Sequence, residues 1–353
     1  MNGRMVRCSL MESRFELSLV RLQSCVWLHL ICAGCFVLSS SPLAAQSPSE
    51  EDVVVVRVAG RTPTETANRK GRILEWKAGS LTLSTSGGQR EIDNEQIVEI
   101  RTAWPQEYQE AMRLLDQGKS GQAIDKLKSA LASESREWAD RVIASHLVEE
   151  LMLLDQPDAA SKHFLQLLQS DPNSRFLHLA PIPWAGSSRR FTDSQRWMKD
   201  SAAILSLVGA SWSTSGAQRA DEAQKVDGLV DDLDPRIRAL AMAQKWRLSP
   251  RTSAQQLNAW QKLVEEMPRS ARAGPLFVLA EKQAAGNLPD QAMINWMKIV
   301  TIYPQQRSLV AASLYRIGKT LQKQGQTDAA STMFRELRER FPESIWAQST
   351  NQN

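Results

Sequence analysis

Residues 307–342 read RSLVAASLYRIGKTLQKQGQTDAASTMFRELRERFP, and the fold follows from how this stretch is read. Leu314, Ile317 and Leu321 recur at intervals of three and four, the period of a helix with one buried face. Gly325 marks a turn, Ala330 and Phe334 belong to a second helix, and Pro342 stops that helix from continuing. Two helices that cross tightly need small side chains where their backbones approach. Gly318 and Ala330 supply them, and Phe334 fills the space alongside. Such a pair cannot bury its own apolar face, so it must stack on neighbours, and the companion signal is self-similarity at about 34 residues.

That signal is present upstream. The same frame places Leu276, Leu279, Ala280, Ala292, Trp296, Ile299 and Pro304 in one unit, and Leu240, Ala243, Trp260, Leu263 and Pro268 in another. Leu147, Leu151, Ala160, Phe164, Leu167 and Pro172 form a further unit, and Tyr108, Ala111, Gly118, Ala123, Leu127 and Ala130 the first. A sixth pair carries Leu205, Val208, Gly209 and Trp212 before Pro235, with Asp221 where the frame wants alanine. Terminal prolines thus fall at 172, 235, 268, 304 and 342. These positions resemble the tetratricopeptide repeat family over about two thirds of the chain. The expected fold is mainly α: a tetratricopeptide-like solenoid of about six helix pairs over 105–348, interrupted by an inserted loop at 173–195. That loop holds Pro181, Pro183, Trp184, Gly186, Arg189 and Arg190.

Before Trp104 and Pro105 the period is two. Val53 to Val58, Ile73 to Trp76, Leu81 to Leu83, Glu91 to Ile92 and Ile97 to Ile100 read as short strands punctuated by glycine. They predict a small β-barrel over 50–104 that loosely resembles SH3-like and Sm-like barrels, with 61–70 as a loop between the first two strands.

The amino terminus predicts export. Arg4, Arg7, Arg14 and Arg21 precede the apolar run VWLHLICAGCFVL at 26–38, too short to span a bilayer comfortably. Small residues follow, ending in Leu43, Ala44 and Ala45, the layout of a signal peptide over 1–45 cut after Ala45. A retained or lipidated leader is the route to membrane association. All four cysteines, Cys8, Cys25, Cys32 and Cys35, lie within it, so the remainder must rest on packing without disulfides. Losing the leader leaves 39 basic against 37 acidic side chains, a net charge of +2. That balance argues against a dedicated nucleic-acid binder.

No arrangement reads as an active site. His146, His163 and His178 have no partner at metal-ligand spacing, so neither a metal nor a cofactor is expected. Gly209 to Ser213 lacks the final glycine and the strand-to-helix setting of a nucleophile elbow. Asp231, Asp232 and Asp234 read as a solvated loop beside Pro235.

In the tetratricopeptide family the first helices line a concave groove that holds protein segments. The resemblance therefore implies a non-enzymatic scaffold that binds a protein or peptide partner. Carried onto this sequence, the frame makes Arg238, Lys245, Phe277, Tyr315, Lys319 and Lys323 groove-facing, a mixture suited to a carboxylate and an apolar side chain. The expected setting is periplasmic or cell-envelope associated. An alternative gives recognition of cell-wall material or a peptide to the amino-terminal barrel, with the repeats as a spacer.

Overall fold

Five antiparallel strands open the fold: β1 (Asp52–Arg57), β2 (Thr66–Trp76), β3 (Ser80–Thr85), β4 (Gly88–Asp93) and β5 (Ile97–Arg101), in the order β4-β3-β2-β1-β5. They belong to a computed structural model that describes residues 51–58, 65–212, 219–250 and 252–350. The leader expected over 1–45, its cleavage point and the four cysteines lie outside the described residues.

β2 is the corner of the sheet. Its first half pairs with β1, from Thr66 opposite Arg57 to Gly71 opposite Asp52, and its second half pairs with β3 across a bulge between Ile73 and Glu75. A bulge bends a strand and raises its twist, which lets one strand serve two partners. Gly71 stands at the bend, where a Cβ would lie 2.2 Å from the Ser84 carbonyl oxygen. The loop expected over 61–70 is therefore strand from Thr66 onward. Asn68, Arg69 and Lys70 are exposed there, so the stretch has no alternating apolar pattern to announce it. Among the described residues β4 and β5 are the sheet's edges, and the five strands form the small antiparallel β unit expected before the helices.

Fourteen helices follow among the described residues. Six pairs carry the repeats: α1 (Gln106–Asp116) with α2 (Ser120–Ser133), α3 (Glu137–Leu153) with α4 (Pro157–Ser170), and α6 (Ala203–Ser211) with α7 (Arg219–Asp227). The others are α8 (Pro235–Leu248) with α9 (Ala254–Glu266), α10 (Ala273–Ala285) with α11 (Pro289–Ile302), and α12 (Arg307–Lys323) with α13 (Thr327–Arg340). α5 (Ser194–Met198) and α14 (Ile345–Thr350) are short additions.

Four pairs share one turn. Gly118, Asp155, Asn287 and Gly325 have φ of 72°, 57°, 60° and 76°, the left-handed conformation that ends a helix. One backbone bond closes each turn, from Lys119 to Leu114, Gln156 to Leu151, Leu288 to Gln283 and Gln326 to Leu321, at 2.8 to 2.9 Å. Nine residues beyond those carbonyls stand the buried alanines Ala123, Ala160, Ala292 and Ala330. At the last crossing, a Cβ on Gly318 would come within 2.4 Å of the Phe334 ring, so α12 and α13 meet as closely as their small residues imply.

The expected frame fails in two places. Pro235 begins α8 instead of closing α7, because Asp234 caps that helix by accepting from the Arg236 amide at 2.8 Å. In α9 the buried residues are Leu257 and Val264, while Leu263 is 38% exposed. The tight turn is replaced there by a longer connection with Ser253 and Gln256 in a capping box, which shifts the helix by one residue.

Sheet and helices share a core. Trp138 and Ala139 of α3 pack among Val54, Val56, Ile73, Leu81, Leu83 and Ile92. Around them, Arg141 of α3 pairs with Glu75 and bonds Ser170, while the Arg175 guanidinium lies 3.7 Å from the centre of the Trp76 ring. No helix among the described residues is long and apolar enough to cross a membrane.

Candidate protein-interaction surface

The first helices of the pairs are where the family resemblance places a ligand, and α10, one of them, is covered by the chain itself. α10 is buried continuously from Ala273 to Ala280. Leu177, Ala180 and Ile182 of the inserted segment join the same core as Phe191, Trp197 and Trp212. Trp184 lies flat enough on α10 that a Cβ at Gly274 would sit 2.5 Å from its ring. The segment's backbone is held as well: Arg247 of α8 donates to the Pro183 and Ser211 carbonyls at 3.1 and 2.6 Å, and the Trp212 indole donates to Pro181 at 2.6 Å. A proline-rich stretch cannot form a helix ladder of its own, so side chains from neighbouring helices satisfy its carbonyls. Trp184 acts as a packing element there.

The six residues expected to line a groove are spread over three helices. Phe277 is wholly buried inside α10 and presents no surface. Arg238 donates to the Asp232 carbonyl at 2.7 Å, and Lys245 is exposed and paired with Asp227 at 2.8 Å. Tyr315, Lys319 and Lys323 share one stripe of α12, four residues apart, along the half of that helix that is not enclosed. Lys319 reaches Gln322 at 3.2 Å, and Lys323 is exposed.

Around this stripe the last repeat gathers half-exposed aromatics. The Tyr315 ring centre lies 5.3 Å from Trp346 on α14 and 6.3 Å from Phe334 on α13. Arg316 stands 5.5 Å from the Trp346 ring and is held by Glu281 of α10 at 2.9 Å. Aromatic faces beside cations attract both apolar groups and carboxylates, the chemistry of many protein contacts. Trp346 was legible only as one more tryptophan, because nothing in sequence says that a six-residue terminal helix folds back onto α12.

Residues set aside as unreactive have structural employment. Gly209 sits where α5 and α6 touch, and a Cβ there would lie 2.2 Å from the Met198 amide nitrogen. Asp232 accepts from the Asp234 amide at 2.8 Å, ordering the loop before α8. His146 meets the Tyr108 hydroxyl at 3.2 Å and His163 meets Gln166 at 2.9 Å. Among the described residues no three His, Cys, Asp or Glu side chains are grouped so as to hold a metal ion.

The family model for the tetratricopeptide repeat matches residues 312–344, the segment that contains Gly318, Ala330 and Phe334. The chain carries a tetratricopeptide repeat. Its surroundings repeat the same turn and the same alanine position three further times, so the tetratricopeptide pattern extends well beyond the matched segment in structure. No curated protein matches the sequence. Among solved structures, the crystal structure of PilW, a widely conserved type IV pilus biogenesis factor, is 18% identical, with the match covering 69% of this chain and 96% of that one at a TM-score of 0.29. Tetratricopeptide repeats in general mediate protein–protein contacts, and residues 312–344 match that repeat.

Proposed function

We propose that this protein is an exported, non-catalytic adaptor that holds a protein or peptide partner in the cell envelope. The sheet part spans 50–104 and the repeat part 105–348. The observation that carries the reading is the stripe Tyr315, Lys319 and Lys323 on the last repeat, bordered by Phe334 and Trp346. A partner segment with an acidic residue next to an apolar one suits it, since an ammonium group holds a carboxylate while the rings cover the apolar side chain. Export is supported by the basic leader, the thirteen-residue apolar run and the small residues ending at Ala45. No nucleic acid, metal or cofactor enters the proposal. The alternative gives recognition to the sheet, with the repeats as a rigid spacer.

The test is affinity capture from an envelope extract with residues 46–353 as bait, beside the same bait carrying Lys319→Glu and Lys323→Glu. A protein retained by the first bait and lost from the second supports the reading. Equal retention by both would move the site elsewhere, and retention by neither would remove the adaptor function.

A further inference from the structure

The first two helix pairs lie against the last one, and the contact is made of charges sunk between helices. Glu149 and Glu150, near the end of α3, are 7% and 0% exposed. Glu149 accepts from the Ser308 amide at 2.7 Å, and Glu150 pairs with the Arg307 guanidinium at 2.5 Å. Both partners belong to the first turn of α12. The turn after α13 repeats the arrangement from the other side: Glu343 accepts from the Gly121 amide of α2 at 2.6 Å. Amides in the first turn of a helix have no intrahelical partner and carry partial positive charge, so a carboxylate there satisfies a donor and meets a favourable field.

We propose that this junction is a proton-operated clasp, in which Glu149 joins α3 to α12 in its protonated form and loosens the joint when it ionises. The charge count is the reason. Two buried carboxylates on α3 face one guanidinium, Arg307, and Glu343 adds a third negative group near Glu150. From α1 the junction is faced by Tyr108, bonded to His146 of α3, from α2 by Ser120 and the Gly121 amide, and after α13 by Phe341 beneath the Arg307 guanidinium. None of these supplies a second cation to Glu149. His146 stays neutral, its pKa pushed down to about 4 by burial and then by Arg307. An unpaired charge costs more in this setting than in water, so the proton is retained. Burial pushes the Glu149 carboxyl up to about 7, with Glu150 adding to the rise and the Ser308 amide opposing it. Burial likewise raises Glu150, against the pull of Arg307.

The direction follows. A carboxyl whose pKa is higher in the closed form than in water favours closure while it is protonated. That advantage is full below the ordinary carboxylate value and is lost as pH rises through about 7. His146 works the other way, but it is bonded to Tyr108 within the same helix pairs and does not depend on α12 for that bond.

The Ser308 amide is a local reporter, because its hydrogen bond runs to Glu149 and nowhere within α12. Hydrogen exchange of the full chain is measured from pH 6 to 8 and corrected for the intrinsic rate, with the Leu279 amide of α10 as internal reference. Ser308 exchange is expected to accelerate by about tenfold over that range while Leu279 does not. In Glu149→Gln the acceleration should vanish or reverse, and in Glu137→Gln, an exposed carboxylate on the same helix, it should persist. Flat exchange at Ser308, parallel acceleration at Leu279, or unchanged acceleration in Glu149→Gln each overturns the proposal. Should Glu149→Gln not fold, the comparison of Ser308 with Leu279 in the unsubstituted chain decides it alone.

Discussion

Trp138→Ala asks whether the sheet and the helices fold as one body. Trp138 belongs to α3, yet it is 2% exposed within the sheet's core, its ring centre 6.3 Å from Trp76 and 5.6 Å from Trp104. A buried tryptophan withdraws about 200 Å² from water. At about 25 cal/mol per Å² that is roughly 5 kcal/mol, and large-to-small aromatic substitutions cost about 3–5 kcal/mol. The surroundings are poorly placed to collapse into the gap, since the Trp76 indole is fixed by Asn94 at 2.6 Å and Arg136 lies across Trp104 and Trp138. The expected loss is therefore about 4 kcal/mol, a large part of the roughly 5–15 kcal/mol that holds a domain together. Urea unfolding followed by far-ultraviolet circular dichroism reports the helices, and near-ultraviolet circular dichroism reports the packed tryptophans. One body requires both signals to move together to lower urea. Helices that unfold at the unsubstituted midpoint while the tryptophan signal alone shifts would refute the shared core, as would a total loss below about 1 kcal/mol.

Three further expectations follow from the packing and the buried charges. Ala330→Leu overpacks the α12–α13 crossing and should cost about 1–3 kcal/mol, read as a lower melting temperature; an unchanged melt would put Ala330 outside the crossing. Gly209→Ala drives a Cβ into the α5 backbone, which cannot give as a side chain would, so a loss of similar size, about 1–3 kcal/mol, is expected in urea titration. His146 and His178 are held neutral, with burial the first cause, and titrate near 4 when folded. Their folded values lie below the ordinary one, so stability is lost as pH falls from about 6.5 toward 4, by about 3 kcal/mol at most for each; His178→Gln should flatten that part of the pH–stability curve, and an unaltered slope would show that His178 is not the group responsible.

What the sequence disclosed and what it withheld divide along a physical line. Leu314, Gly318, Ala330 and Phe334 are tied to one another by the close approach of two adjacent helices, a local constraint that leaves a local pattern, and six pairs were legible from it. The strands from Val53, Ile73, Leu81 and Ile97 were legible through alternation. The polar half of β2, Thr66 to Lys70, was not, because its side chains face water and its hydrogen bonds to β1 are invisible in composition. Pro235 misled because proline serves equally at the first turn of a helix and after its end, and only the Asp234 cap distinguishes the two. Among the site residues, Tyr315, Lys319 and Lys323 share a stripe by simple helical spacing. Phe277 was read as groove-facing because nothing near it in the chain shows that residues 177–184 come to lie within the repeats.

Closure of the array is the clearest case of information that sequence holds without displaying. Glu149 and Glu150 stand on a helix at positions where a pair of carboxylates reads as ordinary solvated surface. Their partners, Arg307 and Ser308, lie about 160 residues away, and Glu343 and Gly121 are farther apart still. Glu149 and Glu343 each accept from an amide at a helix start, Ser308 of α12 and Gly121 of α2, so the same kind of hydrogen bond is used at both contacts. An open row of helix pairs would expose an apolar face at each end. Here the end pairs touch one another and α14 lies against α12, while the second half of α12 and most of α13 remain open to solvent. The stripe proposed for the partner lies on this open part of the last repeat, away from the first turn of α12 where Arg307 and Ser308 meet α3. Glu149→Gln keeps that side chain neutral and should leave partner affinity unchanged at about pH 6, whereas Lys319→Glu should lower it by the same factor in either background, since the two sites touch no common side chain.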